Sequence, residues 1–210
     1  MAVAHARLHA IVDVDAAQRA GWTAIDLAQA FLNGGARLIQ IRAKTLPSGP
    51  FLDICDAVVK RAEAFGASII VNDRADLAVM SGAAGVHVGQ DDLSPADARR
   101  LLGPQAIVGF STHTIDQIDR AVRDPASYIA VGPVFGTATK DTGYSAVGLD
   151  LVRAAVARAQ ERPVVAIGGV TLERAASVIA AGAAAVAVIG DLLSTGKPEE
   201  RVRSYLEALA

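Results

Sequence analysis

The sequence has little cysteine, few aromatic residues and no long apolar run, and each shortage excludes a class of protein. One cysteine, Cys55, cannot form an internal disulfide, which fits a reducing compartment. Aromatic residues make up 4% of a chain that is 52% hydrophobic, so Ala, Val, Ile and Leu must build the core. No apolar stretch reaches the roughly 18 residues of a membrane span.

Charge of one sign is also lacking. The net charge is −2 at pH 7 and no block of like charges occurs, which argues against nucleic acid or an anionic membrane as a partner. The first residues lack the charged segment and apolar run of a signal peptide. We therefore expect a soluble, cytoplasmic protein that acts on small molecules, and the sequence leaves assembly into a homo-oligomer open.

A short β-branched run followed by an amphipathic segment recurs along the chain. Apolar runs of this length are typical of strands buried on both faces of a parallel sheet. The predicted strands cover residues 8–14, 36–41, 68–71, 85–88, 106–109, 128–131, 163–167 and 185–189. Glycines after residues 23–33 and 51–65 mark the ends of two predicted helices.

Eight evenly spaced units without a linker predict an α/β fold, a single-domain (β/α)8 TIM barrel over residues 1–210. The alternative is a doubly wound open sheet, which uses the same βαβ unit but commonly has five or six strands. Connections in so small a barrel are short, so the longer loops at 43–50 and 132–147 are candidates for function.

Two cations and an amide follow the second predicted strand. Gln40, Arg42 and Lys44 alternate along the chain, so they share one face where the backbone is extended. Barrel enzymes carry their catalytic groups on strand-to-helix connections. This set suits a polyanion, and the alternative interpretation is a solvated charged loop.

Carboxylates follow the third and fourth predicted strands. Asn72 and Asp73 either belong to a site or cap the next helix. Asp91 and Asp92 precede a helix that a Ser-Pro pair already caps, so they are better explained as ligands of a hard cation such as Mg²⁺. His87, between two valines, is predicted to be a hydrogen-bonded interior histidine.

Phosphate-binding features follow the last three predicted strands. Thr137, Thr139 and Lys140 place two hydroxyls and a lysine on a glycine-flanked turn, although not with Walker A spacing. Glycines come after strands 7 and 8, at Gly168-Gly169 and Gly190. They let backbone N–H groups approach a phosphate, or they only permit tight turns.

These motifs, taken in order, resemble the thiamine-phosphate synthase family over essentially the whole chain. The motifs are Gln40-x-Arg42-x-Lys44, Asn72-Asp73-Arg74, His87-x-Gly89-Gln90-x-Asp92, Ser111-x-His113-Thr114, Gly132-Pro133 with Thr137-x-Thr139-Lys140, and Gly168-Gly169. Each motif alone is weak, but six in order at barrel-like spacing are specific.

The resemblance implies a transferase of thiamine biosynthesis that joins an aminopyrimidine-methyl diphosphate to a thiazole phosphate, or its carboxylated tautomer, and releases pyrophosphate. It implies a dissociative mechanism with Lys140, Arg42 and Ser111 as catalytic residues. The residues that it implies for the pyrimidine diphosphate are Gln40, Arg42, Lys44, Asn72, Ser111 and Lys140. Those for the thiazole phosphate are Thr137, Thr139, Gly169, Ile189 and Gly190, and those for Mg²⁺ are Asp73 and Asp92.

The sequence departs from that family after the last strand, where Gly190-Asp191 replaces a serine and a small residue. A carboxylate beside a phosphate dianion is repulsive unless it turns away. Three alternatives therefore stay open: a thiazole tautomerase of the same superfamily, which needs no Mg²⁺; another phosphate-binding barrel such as a sugar-phosphate epimerase or isomerase; and a non-catalytic paralogue that binds thiamine intermediates.

Overall fold

The computed structural model describes residues 6–136 and 145–210, and it shows a closed barrel of eight parallel strands in sequence order. The strands are β1 (Leu8–Asp13), β2 (Leu38–Arg42), β3 (Ser68–Asn72), β4 (Gly85–Val88), β5 (Ile107–Thr112), β6 (Tyr128–Val131), β7 (Val164–Ile167) and β8 (Ala185–Val188). Strand β1 pairs with β8 as well as with β2, so the sheet has no free edge. The predicted (β/α)8 barrel is confirmed, and the open-sheet alternative is wrong.

Helices surround the barrel. They are α1 (Val14–Arg19), α2 (Ala24–Asn33), α3 (Ser48–Glu63), α4 (Ala75–Met80), α5 (Pro95–Leu102), α6 (Ile115–Ala121), α7 (Gly148–Arg158), α8 (Leu172–Ala180) and α9 (Pro198–Ala208), with a short 3-10 helix at Gly190–Leu193. Within the described ranges, no helix is long and apolar enough to cross a membrane.

Alternation along the strands divides the core into two layers. On β1, Leu8, Ala10 and Val12 pack with the helices, whereas Ile11 packs inside the barrel. Small aliphatic residues dominate both layers, as the composition predicts. Tyr128 stands inside the barrel and is fully buried.

Of the eight predicted strands, 85–88 and 128–131 have the predicted bounds, and the other six differ by one to three residues at one or both ends. Two of these differences have a visible cause. The first strand ends at Asp13 rather than residue 14, because Asp13 accepts a hydrogen bond from the Ala16 N–H group at 2.9 Å and thereby caps α1. The fifth strand continues beyond residue 109 to Thr112, whose hydroxyl donates to the Ala130 carbonyl oxygen at 2.9 Å. Ser111 is therefore a strand residue and not a loop residue.

Cys55 is a core residue of α3, and it is fully buried. Burial, aided by the nearby Asp56 carboxylate, raises the pKa of its thiol to about 12. We expect a thiol reagent at pH 8 to modify the folded protein only at the rate of unfolding. The rate of release of a chromogenic disulfide's leaving group, with and without denaturant, measures this. Rapid stoichiometric reaction of the folded protein would contradict the buried position.

Candidate active site

A cavity of about 370 Å³ opens at the carboxyl ends of the strands, where barrel enzymes bind their substrates. Its wall includes seven of the residues predicted from the sequence: Gln40, Arg42, Asn72, Ser111, Gly169, Ile189 and Gly190. These residues come from five different strands or the turns that follow them. The barrel thus brings into one cavity residues that lie up to 150 positions apart (from Gln40 to Gly190).

Arg42 is held in place by a residue that the sequence analysis missed. Its guanidinium forms an ion pair with the carboxylate of Asp13, and the two residues are register partners on β1 and β2. Asp13 is buried, so this pairing is shielded from solvent. The Nε atom of Arg42 is buried without a hydrogen-bond partner among the described residues. Arg42 is therefore oriented by Asp13 and keeps a donor for a ligand.

Lys44, Asp73 and Asp92 form a cluster beyond the ends of β2, β3 and β4. Lys44 forms an ion pair with Asp73, and the carboxyl group of Asp92 lies close enough to Asp73 to affect its pKa. Burial raises the pKa of Asp73 and Asp92 raises it further, whereas Lys44 opposes the rise. Neither Asn72 nor Asp73 caps α4, since no side chain caps that helix.

The backbone holds this carboxylate cluster in a defined shape. Asp73 has a φ of 62°, a left-handed conformation that Asp and Asn adopt more readily than other non-glycine residues. The Gly89 N–H group donates to Asp92 Oδ2 at 2.7 Å. Over residues 6–136 and 145–210 no group of three or more His, Cys, Asp or Glu residues could hold a metal. Mg²⁺ does not need such a group, because it is commonly bound by one or two carboxylates, water and substrate phosphates.

Uncharged polar side chains line the inner end of the cavity. His87 Nδ1 lies 2.9 Å from Tyr128 Oη, and His87 Nε2 lies 2.8 Å from Ser111 Oγ. His87 is thus a hydrogen-bonded interior histidine, as predicted. His9 lies edge-on to the Tyr128 ring, and burial lowers its pKa to about 3, so its imidazole is neutral.

Backbone groups and one arginine form the opposite side of the cavity. Gly169 has a φ of 61°, and a Cβ atom there would collide with Phe135 and with the Gly136 carbonyl oxygen. Arg174, which the sequence analysis missed, lines the cavity beside it. Its guanidinium lies 4.7 Å from the centre of the Phe135 ring and donates to the Gly169 carbonyl oxygen at 3.0 Å. This side therefore combines close backbone approach with a cation.

The carboxylate of Asp191 belongs to a hydrogen-bonded network at the amino-terminal end of α8. Its Oδ2 atom accepts hydrogen bonds from Tyr205 Oη at 2.7 Å, Arg201 Nη2 at 2.9 Å and the Leu172 N–H group at 3.2 Å. The repulsion expected between Asp191 and a phosphate is therefore offset by Arg201. Asp191 still borders the cavity, and its 3-10 helix presents Gly190 to it.

We predict that Asp191→Asn destabilises the protein. The substitution keeps the shape but leaves Arg201 without its closest carboxylate, and both side chains are mostly buried, at 13% and 15% exposed. The free energy of unfolding should fall by about 2–3 kcal/mol in denaturant titrations. The matched control is Asp150→Asn, because Asp150 pairs with Arg153 while 98% exposed and should change stability by less than about 0.5 kcal/mol. Equal changes in the two variants would exclude a stabilising network at Asp191.

Three predicted site residues, Thr137, Thr139 and Lys140, lie outside the described residues. The residues on either side of them are placed: Phe135 and Gly136 border the glycine-rich side, and α7 begins at Gly148. The predictions for these three side chains stay predictions.

A closed (β/α)8 barrel with a cavity at the carboxyl ends of its strands defines a class of protein, the enzymes that bind small molecules at this end of the barrel. Comparison with known families places the chain within that class. The family model for thiamine monophosphate synthase matches residues 8–192. The chain belongs to this family.

Relatives with assigned activities agree with the family. The chain is 43% identical to thiamine-phosphate synthase from Koribacter versatilis over 205 residues, covering 97% of this chain and 95% of that one. It is 43% identical to the protein of the same name from Roseiflexus castenholzii over 187 residues, covering 89% and 81%. Among solved structures, thiamine phosphate pyrophosphorylase from Pyrococcus furiosus superimposes with a TM-score of 0.88 at 25% identity, covering 99% of this chain and 96% of that one.

Proposed function

We propose that this protein joins an aminopyrimidine-methyl diphosphate to a thiazole phosphate, giving thiamine phosphate and pyrophosphate. The observation that carries the proposal is the division of one cavity into two unlike sides. On the side of β2 to β4, Arg42 lines the cavity, and Lys44, Asp73 and Asp92, which do not line it, cluster beyond the ends of these strands. Glycine backbone with Arg174 forms the side near β7 and β8. One side suits a metal-bound diphosphate and the other suits a monophosphate.

The diphosphate side offers groups that stabilise a leaving anion. Arg42 is oriented by Asp13, and Lys44 stands next to Asp73. In the absence of substrate, Lys44 neutralises Asp73, so it is already close to the place where the diphosphate would bind. Cations placed near the leaving diphosphate lower the barrier, because negative charge builds up on the diphosphate in the transition state.

The carboxylates of Asp73 and Asp92 fit Mg²⁺, because they are neighbouring hard oxygen ligands beyond the ends of β3 and β4. Bound there, Mg²⁺ would neutralise the diphosphate and improve it as a leaving group. Asp73 pairs with the mobile side chain of Lys44, and the Gly89 N–H group holds one oxygen of Asp92, which leaves its other oxygen for a metal. The ion pair between Lys44 and Asp73 would open as Lys44 turned to the diphosphate.

The inner end of the cavity suits a neutral heteroaromatic ring. His9 and Tyr128 carry no charge near neutral pH, since burial lowers the pKa of His9 and raises that of Tyr128. Neutral side chains do not repel a ring that becomes positively charged when the diphosphate leaves. The thiazole nitrogen then captures the pyrimidinylmethyl cation, a step that needs close approach of two bound substrates and no general base.

At the monophosphate side, the N–H groups around Gly169 and Gly190 and the guanidinium of Arg174 supply donors. Thr137, Thr139 and Lys140 are proposed to complete the site from the loop after β6. The experiment that tests the function is an assay of pyrophosphate release with each substrate alone and with both together, with and without Mg²⁺. Release that requires both substrates and Mg²⁺ is the expected result.

A further inference from the structure

A chain of three hydrogen-bonded side chains, two buried and one partly exposed, crosses the inner end of the cavity from β6 through β4 to β5. Tyr128 Oη, His87 Nδ1 and Nε2, and Ser111 Oγ stand at successive hydrogen-bonding distances of 2.9 and 2.8 Å. The sequence analysis assigned Ser111 a position near the pyrimidine and gave no role to Tyr128. We call Tyr128, His87 and Ser111 the interior relay.

The direction of the hydrogen bonds in the interior relay follows from Tyr128. Its side chain is fully buried, and burial raises the pKa of the phenol, so the phenol keeps its proton. A buried O–H group must donate to an acceptor. Among the described residues, its hydrogen-bond partner is His87 Nδ1, so Nδ1 acts as the acceptor.

This direction then determines the proton on the other ring nitrogen. An imidazole that accepts at Nδ1 is neutral and carries its proton on Nε2. Nε2 therefore donates its hydrogen bond to Ser111 Oγ, which acts as the acceptor. The hydroxyl proton of Ser111 is left to point elsewhere, and Ser111 lines the cavity.

Two further contacts hold the interior relay in place. Gln90 Nε2 donates to the Ser111 carbonyl oxygen at 2.6 Å, which ties the backbone of β5 to the end of β4. Gly109 provides the room, because a Cβ atom there would collide with the Tyr128 ring and with His87 Nδ1. The aligned rings of His87 and Tyr128, with centroids 5.6 Å apart, pack across this gap.

We propose that Tyr128 and His87 are positioning residues that make Ser111 a hydrogen-bond donor to an acceptor atom of the bound substrate. Only the identity of this acceptor atom rests on the proposed function, in which it is a ring nitrogen of the aminopyrimidine. The neutral imidazole also keeps positive charge away from the ring. Ser111 thereby selects a ring with an acceptor at this point over one with a C–H group.

The direct test is the protonation of His87, and it needs no substrate. Long-range ¹H–¹⁵N correlation spectra of protein labelled at its four histidines distinguish the two neutral tautomers, and His87→Gln assigns the signal. We expect the wild type to show the proton on Nε2 and Tyr128→Phe to lose this preference. Tyr205→Phe, which removes the other fully buried phenol of the described residues, should leave the His87 signal unchanged. A proton on Nδ1 in the wild type, or an unchanged tautomer in Tyr128→Phe, would overturn the proposal.

A second test addresses the donor role of Ser111. Pyrimidine diphosphates with each ring nitrogen in turn replaced by C–H are compared with the native substrate in the pyrophosphate assay. For one of the two analogues we expect the wild type to show an increase in KM of about fivefold to tenfold, and Ser111→Ala to show no such increase. The same discrimination in both proteins would exclude Ser111 as the donor. If the wild type releases no pyrophosphate from the native pair, the proposed function fails, and the His87 spectra still decide the interior relay.

Discussion

Replacing Asp73 by Asn is expected to lower kcat by about 10²–10³-fold at a fixed, moderate Mg²⁺ concentration. The amide is a weaker ligand for Mg²⁺ than the carboxylate and also releases Lys44 from its ion pair. Asn is the appropriate substitution because residue 73 has a positive φ, which Asn tolerates and Ala does not. Steady-state rates over a Mg²⁺ series measure the effect, and half-saturation should move to higher Mg²⁺.

The matched control for this variant is Asp91→Asn. Asp91 is an exposed carboxylate one position before Asp92, so it carries the same charge near the same mouth. The family resemblance assigns Asp92 and not Asp91 to Mg²⁺, so of the two adjacent carboxylates only Asp92 is proposed to coordinate. We therefore expect kcat and Mg²⁺ dependence in Asp91→Asn to stay within about twofold of the wild type, because a non-coordinating surface charge acts only through screened solvent. If Asp91→Asn and Asp73→Asn lose activity equally, general charge rather than coordination explains the loss.

The second large effect is expected at Arg42. Arg42→Ala should reduce kcat by about 10²–10³-fold, because it removes the oriented cation that we propose faces the leaving diphosphate. It also leaves Asp13 as a buried charge without its partner, which costs about 3–5 kcal/mol of stability. Loss of activity in this variant alone therefore does not separate chemistry from folding.

The double variant Asp13→Asn/Arg42→Gln separates them. It removes both charges, and Asn still caps α1 through the Ala16 N–H group. We expect the thermal midpoint to recover most of the loss seen in Arg42→Ala while kcat stays low. Asp13→Asn alone should keep the cation but leave it poorly oriented, with kcat reduced by about tenfold. Recovery of full activity in the double variant would remove Arg42 from the reaction.

The barrel could be predicted from the sequence because its signal is local. Buried parallel strands consist of short apolar runs, and each run together with its following helix carries its own boundary residues. The predicted alternation of Gln40, Arg42 and Lys44 is likewise local. Gln40 and Arg42 line the cavity, whereas Lys44, which lies beyond the end of β2, does not. Strand boundaries failed where a side chain made a contact that the pattern does not show, as Asp13 does at the start of α1.

The partners of site residues could not be predicted, because they depend on register and docking. Asp13 meets Arg42 only because β1 and β2 pair in one register. Asp191 appeared unfavourable beside a phosphate, and its neutralising partners Arg201 and Tyr205 come from α9 at the end of the chain. The interior relay likewise joins residues 41 and 24 positions apart. Residue spacing within one helix or strand cannot predict contacts between such distant parts of the chain.

The central claim, two unlike phosphate sites in one cavity, is tested most directly by pyrophosphate release from the wild-type protein. The account predicts release only when the pyrimidine diphosphate and the thiazole phosphate are both present with Mg²⁺, with one thiamine phosphate formed for each pyrophosphate. No release above background from the complete mixture would contradict it. Isomerisation of the carboxylated thiazole without Mg²⁺ would then indicate a tautomerase, and binding without turnover would indicate a non-catalytic paralogue.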